Sequence, residues 1–408
     1  MFKTLSVAVV ALMAATPAMA AEPDGLILPP GFHATVVADG LGPIRHMALR
    51  GNDIYVSTRK TPNQPAMGII ALRLAPDFKP LQTEHFGSVD GGTGIRIHNG
   101  ALYASSGSGV YRFALDDMLV PKAEPQQIVD GLAGGNHPIA FDNKGNLFVG
   151  VDGGGNICTD PSAPKDAKPV GLKPCPNLET KGGIWRFDDS KPGQKFADGE
   201  HFATGIRTSS SLDWRPGDAL YGAMHGRDGT AKTWPNYLTE ADDDAIGDEM
   251  HRVVKGTDFG WPYSYYDGAR KLRLVSPEYG GDGKTATKGD VPVASFQPKR
   301  PAPVDLSFYA GTAFPAHYRG GAFLAMHGGA DGSAPQGNNG YDVVFVPFKG
   351  GKAGKPEVFA GGFAGPKPSD RTAKAAAYRP VGVAMAPDGS LFVADSNKGR
   401  IWRISYGK

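Results

Sequence analysis

Six times along the chain an apolar strand is followed by a tight Gly-, Asn- or Asp-containing turn and then by an alternating strand. The units are MALRGNDIYVSTR (47–59), IRIHNGALYASSG (95–107), IAFDNKGNLFVGVDG (139–153), LDWRPGDALYGAMHG (212–226), YRGGAFLAMHG (318–328) and VAMAPDGSLFVADS (383–396). Asn-Gly, Asp-Gly and Lys-Gly-Asn supply the positive φ that a short hairpin turn requires, so each unit predicts a β-hairpin. Several units continue into a further strand ending in an aromatic: GVYRF, GGIWRF, YDVVFVPF and GRIWRI. Repetition on this scale predicts an all-β fold, a six-bladed β-propeller with about four strands per blade. Amphipathic helical stretches are scarce, which argues against a doubly wound α/β fold. FHATVVAD, near the N-terminus, is a candidate to complete the last blade and close the ring.

Spacing between the units is uneven. Long insertions, 154–211 and 227–317, separate the third to fifth repeats. Propeller loops gather at the two ends of the central channel, so these insertions are expected to build a pocket over its mouth. A single domain over residues 21–408 accounts for the whole pattern.

The first twenty residues read as a secretory leader. Lys3 gives the positive start, Leu5 to Ala15 the apolar core, and Ala18-Met19-Ala20 the small-residue cleavage site. The apolar run is short for a membrane span. The mature chain is therefore expected in the periplasm or secreted, where thiols oxidise. Cys158 and Cys175 flank a Pro- and Lys-rich loop, and a disulfide closing it would stabilise the fold by about 3 kcal/mol in the simple chain model. Their spacing is not that of a zinc site, and no Cys-x-x-Cys-His haem motif occurs. With 43 basic and 41 acidic residues the chain lacks the charge excess of a nucleic-acid binder.

Candidate chemistry concentrates between His225 and Asp267. That stretch combines glycines, an acidic cluster (Asp242, Asp243, Asp244, Asp248, Glu249) and the aromatic closure FGWPYSYYD. Calcium takes oxygen donors in flexible geometry, so carbonyls of Gly226 and Arg227 with carboxylates of Glu249 and Asp267 form a candidate set. The acidic run reads equally as a solvated helix start. His137, in GGNHPIAFD, is a candidate general base, because imidazole titrates near neutrality. Arg207, in GIRTSSS, is a candidate clamp for a carboxylate or an oxyanion. Arg45 and His46 open the first repeat at a similar junction. Trp185 and Trp402 read as core. Trp261, Tyr263, Tyr265 and Tyr266 read as braces of the long loop, and His225 and His327 as equivalent blade positions.

HGRD followed by DEMHRVVKGTDFGWPYSYYD, then SFYAGTAFPAHYRGGAFLAMHG and RPVGVAMAPDGSLFVADSNKGRIWRI, resembles a known family. It is that of the secreted sugar dehydrogenases using pyrroloquinoline quinone (PQQ), namely the soluble glucose, aldose sugar and sorbosone dehydrogenases. The resemblance covers nearly all of the mature chain, including GGTGIRIHNGALY and the segment from CPNLE to GGIWRFD. It implies a six-bladed propeller and oxidation of a sugar at C1 by hydride transfer to PQQ. His137 matches the base, Arg207 with Thr208 the quinone-binding pair, Gly226 and Arg227 the calcium-ligating carbonyls, and Arg379 a ligand of a cofactor carboxylate. Thr208 stands where the family has Asn, and residues 327–332 read HGGADG where the family has an aromatic and a basic residue. Implied partners are a small sugar and a separate electron acceptor, quinone or cytochrome, with the protein a monomer or homodimer and neither nucleic acid nor a membrane span involved. Two other readings remain open at this level: a non-catalytic sugar-binding propeller descended from the dehydrogenases, and a calcium-dependent lactonase or related hydrolase.

Overall fold

The computed structural model describes residues 19–22, 25–59, 68–87, 91–133, 135–159, 170–298, 301–329 and 340–407. The leader expected over residues 1–20 lies almost wholly outside them, as do residues 330–332 of the altered motif. Among the described residues no helix is long and apolar enough to cross a membrane.

The chain is almost entirely β. Among the described residues it forms six sheets of four or five strands, five of which begin with one of the hairpins legible in the sequence. The opening strands are Ile44–Arg50, Gly91–His98, Ile139–Phe141, Ser209–Trp214, Pro303–Phe308 and Pro380–Met385. Each packs on the next, and the last packs on the first, so they enclose a channel. Apolar clusters fill the space between neighbouring sheets, as between Leu306, Phe308, Tyr221 and Met250. This is the architecture of a β-propeller.

FHATVVAD closes the ring. Strand Phe32–Ala38 pairs antiparallel with Ile401–Tyr406, so both ends of the chain share one sheet. The fifth repeat differs from its sequence reading. Its opening strand is Pro303–Phe308, upstream of the stretch 318–328, and only the second strand, Ala322–Met326, lies within it. Between them the chain detours through Tyr309, Phe314 and Tyr318, all buried in an aromatic cluster with Phe323. Insertion 227–317 is accordingly not one long loop. It contains the fourth sheet's later strands, Asp248–Val253 and Ala294–Phe296, and a separate three-stranded sheet starting at Ser264–Asp267.

The acidic run divides in the same way. Glu240–Ala245 is a short helix, capped at Thr239, whose hydroxyl accepts the Asp242 amide while the Asp242 carboxylate accepts the Thr239 amide. DEMHRV is a strand.

Side chains cross the channel below its mouth. His46 reaches from the first sheet to the Val304 carbonyl of the fifth at 2.7 Å. Arg96 of the second sheet bonds the Leu212 carbonyl (3.1 Å) and the fully buried Asp305 (3.3 Å). These contacts satisfy polar groups on the inner strands and tie opposite sides of the ring together.

Candidate functional site

Every opening strand starts at the same end of the channel, where the second strand of its hairpin ends. One rim therefore collects the residues just before the first strands and just after the second ones. The former include His137, Arg207, Thr208 and Arg379; the latter include Arg59, Asp152, His225, Gly226, His327 and Ser396. Seven residues singled out in the sequence (His137, Arg207, Thr208, Arg379, His225, Gly226 and His327) thus meet on one face.

His137 is fully buried. Its Nδ1 faces the Gly150 carbonyl at 3.0 Å, which makes Nδ1 the protonated nitrogen and leaves the lone pair on Nε2. Nε2 has no hydrogen-bond partner of good geometry among the described residues, although the Gly107 carbonyl lies close enough to favour the charged ring. Burial nevertheless wins and lowers the imidazole pKa below its ordinary value.

Arg207 is mostly buried and held from two sides. Its Nε donates to Asn156 Oδ1 at 3.0 Å, and its terminal nitrogen pairs with the Asp228 carboxylate. The neighbouring Thr208 carbonyl accepts the His225 amide at 3.3 Å.

The Gly226–Arg227 turn is fixed by a carboxylate of the acidic cluster that the expected donor set left out. Asp248 accepts the Gly226 amide at 2.8 Å on one oxygen and the Ala302 amide at 2.6 Å on the other. A Cβ at Gly226 would lie 2.4 Å from the Gly247 carbonyl, so only glycine fits there. The Arg227 side chain turns away from the mouth into the insertion, where it meets Glu278 at 2.6 Å.

Glu249 and Asp267 are not brought to this turn, which corrects the expected calcium donor set. Strand alternation turns Glu249 to the face opposite Asp248, where it binds Arg273 at 2.6 Å and His251 at 3.0 Å. Asp267 caps a local turn, accepting the Arg270 amide at 2.7 Å and pairing with its guanidinium at 3.0 Å. Among the described residues no three His, Cys, Asp or Glu side chains gather as a metal site. A cation here would rely on carbonyl oxygens.

Arg379 donates to the carbonyls of His327 (3.0 Å) and Gly328 (2.6 Å) and lies over the Tyr341 ring. It thereby shapes the 327–329 turn. His327 is half-buried, with Nε2 2.8 Å from Ser396 Oγ. Burial, and then the charges of Arg379, His225 and Arg59, push its imidazole well below the usual range. Those same interactions show that Arg59, Arg379 and both histidines share one neighbourhood.

Asp152 was also missed. Its carboxylate accepts the Ser209 amide at 2.7 Å and the Asn136 amide, joining the loop before His137 to the one after Arg207. Burial raises its pKa to about 7 against those hydrogen bonds and Arg207. Its only sequence signal was its place at the end of a repeat strand, which His225 and His327 share.

Cys158 and Cys175 form the expected disulfide. Trp261 packs on both sulfurs' residues, so FGWPY braces the disulfide loop. Trp185 and Trp402 are core, as expected.

A β-propeller whose channel rim gathers arginines and imidazoles is the class the fold and these residues define. The comparisons agree with that fold. The glucose/sorbosone dehydrogenase family model matches residues 110–329, and a TrAA12-like model matches residues 276–407. A Trichoderma reesei enzyme of carbohydrate-active family AA12 superposes with a TM-score of 0.73 at 16% identity, covering 98% of this chain and 100% of that one. The PQQ domain of Coprinopsis cinerea pyranose dehydrogenase gives 0.72 at 15% identity, covering 94% and 98%. PQQ-bound aldose sugar dehydrogenase from Streptomyces coelicolor gives 0.56 at 20% identity, covering 93% and 99%. At these identities the likeness concerns the fold. No curated protein matches the sequence. Since the first of these family models spans more than half of its residues, the chain belongs to the glucose/sorbosone dehydrogenase family.

Proposed function

We propose that this protein is a periplasmic or secreted quinoprotein. In this reading its six sheets are the blades of a propeller, and it oxidises aldose sugars, or related aldehydes such as sorbosone, at C1. PQQ and Ca2+ would sit at the channel mouth, and a separate acceptor would reoxidise the cofactor. The observation that carries the reading is the convergence of Arg59, Arg207, Arg379, His225 and His327 on one rim beside Gly226. Guanidinium groups suit a planar tricarboxylate, through bidentate hydrogen bonds and charge. The PQQ-bound relatives and a calcium structure of the Trichoderma reesei enzyme support the same cofactors for this fold.

Bound PQQ with its cation would supply the acceptor for the hydride that leaves the sugar C1. Arg207, ordered by Asn156, and Arg379, ordered against the 327–328 carbonyls, would hold its carboxylates. The carbonyls of Gly226 and Arg227, on a turn pinned by Asp248, would face the cation. Thr208 would adjoin the Arg207 clamp.

His137 would take the proton of the C1 hydroxyl, being a neutral imidazole with its Nε2 lone pair uncommitted. Its complete enclosure favours a second candidate for the same step. His327 is half-buried at the mouth, and burial, with the charges of Arg379 and Arg59, holds its imidazole neutral.

The test adds PQQ and Ca2+ to purified mature protein and follows dye reduction with a panel of aldoses. Stoichiometric binding and sugar-dependent reduction are expected. His137→Gln and His327→Gln separate the two bases: the true one loses turnover by at least about a hundredfold while still binding PQQ. Failure of PQQ to bind at micromolar concentration sinks the dehydrogenase reading. Lactone hydrolysis with calcium alone would point to a hydrolase.

A further inference from the structure

We propose that Asn156 is a positioning residue that sets the Arg207 guanidinium and the 226–228 turn as one unit, with the disulfide and Trp261 holding it in place. The proposal rests on the reading of Arg207 and Gly226–Arg227 as the two halves of the cofactor site.

Three of the amide's four hydrogen-bonding positions point at those two halves. Oδ1 accepts Arg207 Nε at 3.0 Å and the Asp228 amide at 2.9 Å, and Nδ2 donates to the Asp228 carbonyl at 2.6 Å. The backbone around it joins in, since the amides of Gly153 and Gly154 donate to the Arg207 carbonyl at 3.0 and 3.3 Å. One side chain therefore bridges the segment before the fourth opening strand and the turn after its partner strand. An arginine with a free fork samples many rotamers; here Asn156 fixes Nε and also holds the backbone of Asp228, whose carboxylate pairs with the terminal nitrogen, so the plane of the guanidinium is set.

The segment bearing Asn156 has little stiffness of its own. Gly154 and Gly155 are left-handed, at φ of 85° and 69°, and a Cβ on either would meet nothing. Order comes from outside. The Trp261 indole donates to the Gly155 carbonyl at 3.2 Å and lies so close to Gly153 that a Cβ there would sit 2.5 Å from the ring. Two residues beyond Asn156, Cys158 is bonded to Cys175, and both backbone amides are held by tyrosine hydroxyls: Cys158 by Tyr279 at 3.2 Å and Cys175 by Tyr263 at 2.7 Å. The aromatic closure FGWPY thus acts on the site through Asn156, at a distance from it in sequence.

The test compares wild type, Asn156→Ala, Arg207→Ala and the double variant. Hydrogen exchange in peptides spanning 225–230 should quicken at least about threefold in Asn156→Ala, with the strands of the other sheets unchanged. The paired Cys158→Ser/Cys175→Ser variant should quicken the same peptides. The dissociation constant for PQQ, with calcium fixed, should rise about tenfold in Asn156→Ala yet change less than about twofold when Arg207 is already alanine. Unchanged exchange at 225–230, or Asn156 and Arg207 effects that simply multiply, overturns the proposal. If wild type binds no PQQ, the dehydrogenase reading fails, while the exchange measurement still decides whether Asn156 positions the turn.

Discussion

The carboxylate of Asp152 accepts the backbone amide of Ser209 at 2.7 Å and fastens two rim loops from adjacent sheets together. It does so at a cost visible in its ionisation. Burial raises its pKa from 3.8 to about 7, more than the two amides and Arg207 lower it. A carboxyl whose folded-state pKa exceeds its unfolded one binds its proton more tightly when folded. Its contribution to stability is complete below pH 4 and drains away as the pH climbs through about 7. Asp152→Asn, which mimics the protonated form, should therefore gain stability relative to wild type between pH 5 and pH 8. Urea unfolding of the cofactor-free protein at both values measures this, and a difference independent of pH would mean the carboxyl is not perturbed.

His327 titrates in the opposite sense. Its pKa is pushed well below 6.5, by burial first and then by neighbours that include Arg379 and Arg59, so the ring should stay neutral down to mildly acidic pH. Arg59 is exposed and acts on the ring through charge, so Arg59→Gln should raise the His327 pKa without disturbing the fold. An NMR titration of the imidazole carbons reports this directly. No upward movement would show that burial alone sets the value.

The hairpins were legible because turn chemistry and alternation are local. A Gly or Asn at positive φ, as at Asn99-Gly100, announces itself in a few residues. The fifth repeat was misplaced because Pro303–Phe308 and Ala322–Met326 are joined by a long detour whose order comes from packing of Tyr309, Phe314 and Tyr318. Of the rim arginines, Arg207 was found through its junction position and the family resemblance, and Arg379 through the resemblance; Arg59 was not singled out. Asp152 and Asn156 were not, and Asp248 was seen only as part of the acidic run, since each takes its meaning from groups far away in sequence. Choosing Glu249 over Asp248 was avoidable: neighbouring residues of a strand face opposite ways, and the residue facing the Gly226 turn is Asp248.

The disulfide should matter for stability as well as for the site. It closes a loop of 17 residues, so replacing both cysteines by serine should lower unfolding free energy by about 3 kcal/mol in the chain-entropy model. Because Trp261 packs on the pair, the loss should include some of its burial. Denaturant midpoints of oxidised protein and the double variant provide the comparison. Equal midpoints would mean that Tyr263, Tyr279 and Trp261 hold the loop unaided.

Ring closure depends on Phe32–Ala38, and Phe32 is its anchor. The ring is 3% exposed and lies within 4.8 to 5.2 Å of Phe314, Tyr318, Phe359 and Tyr406, which come from the fifth and sixth sheets and the detour between strands. Its removal opens a cavity where the two chain ends and two sheets meet, so neighbouring side chains have little freedom to collapse into it. Phe32→Ala should cost about 3–5 kcal/mol, in the range for large buried aromatics. Val36→Ala, on the same strand but 38% exposed, should cost far less. Measured by urea unfolding, a large loss for Phe32 alone would show that the aromatic cluster closes the ring. Equal losses would instead put the closure in the backbone pairing between Phe32–Ala38 and Ile401–Tyr406.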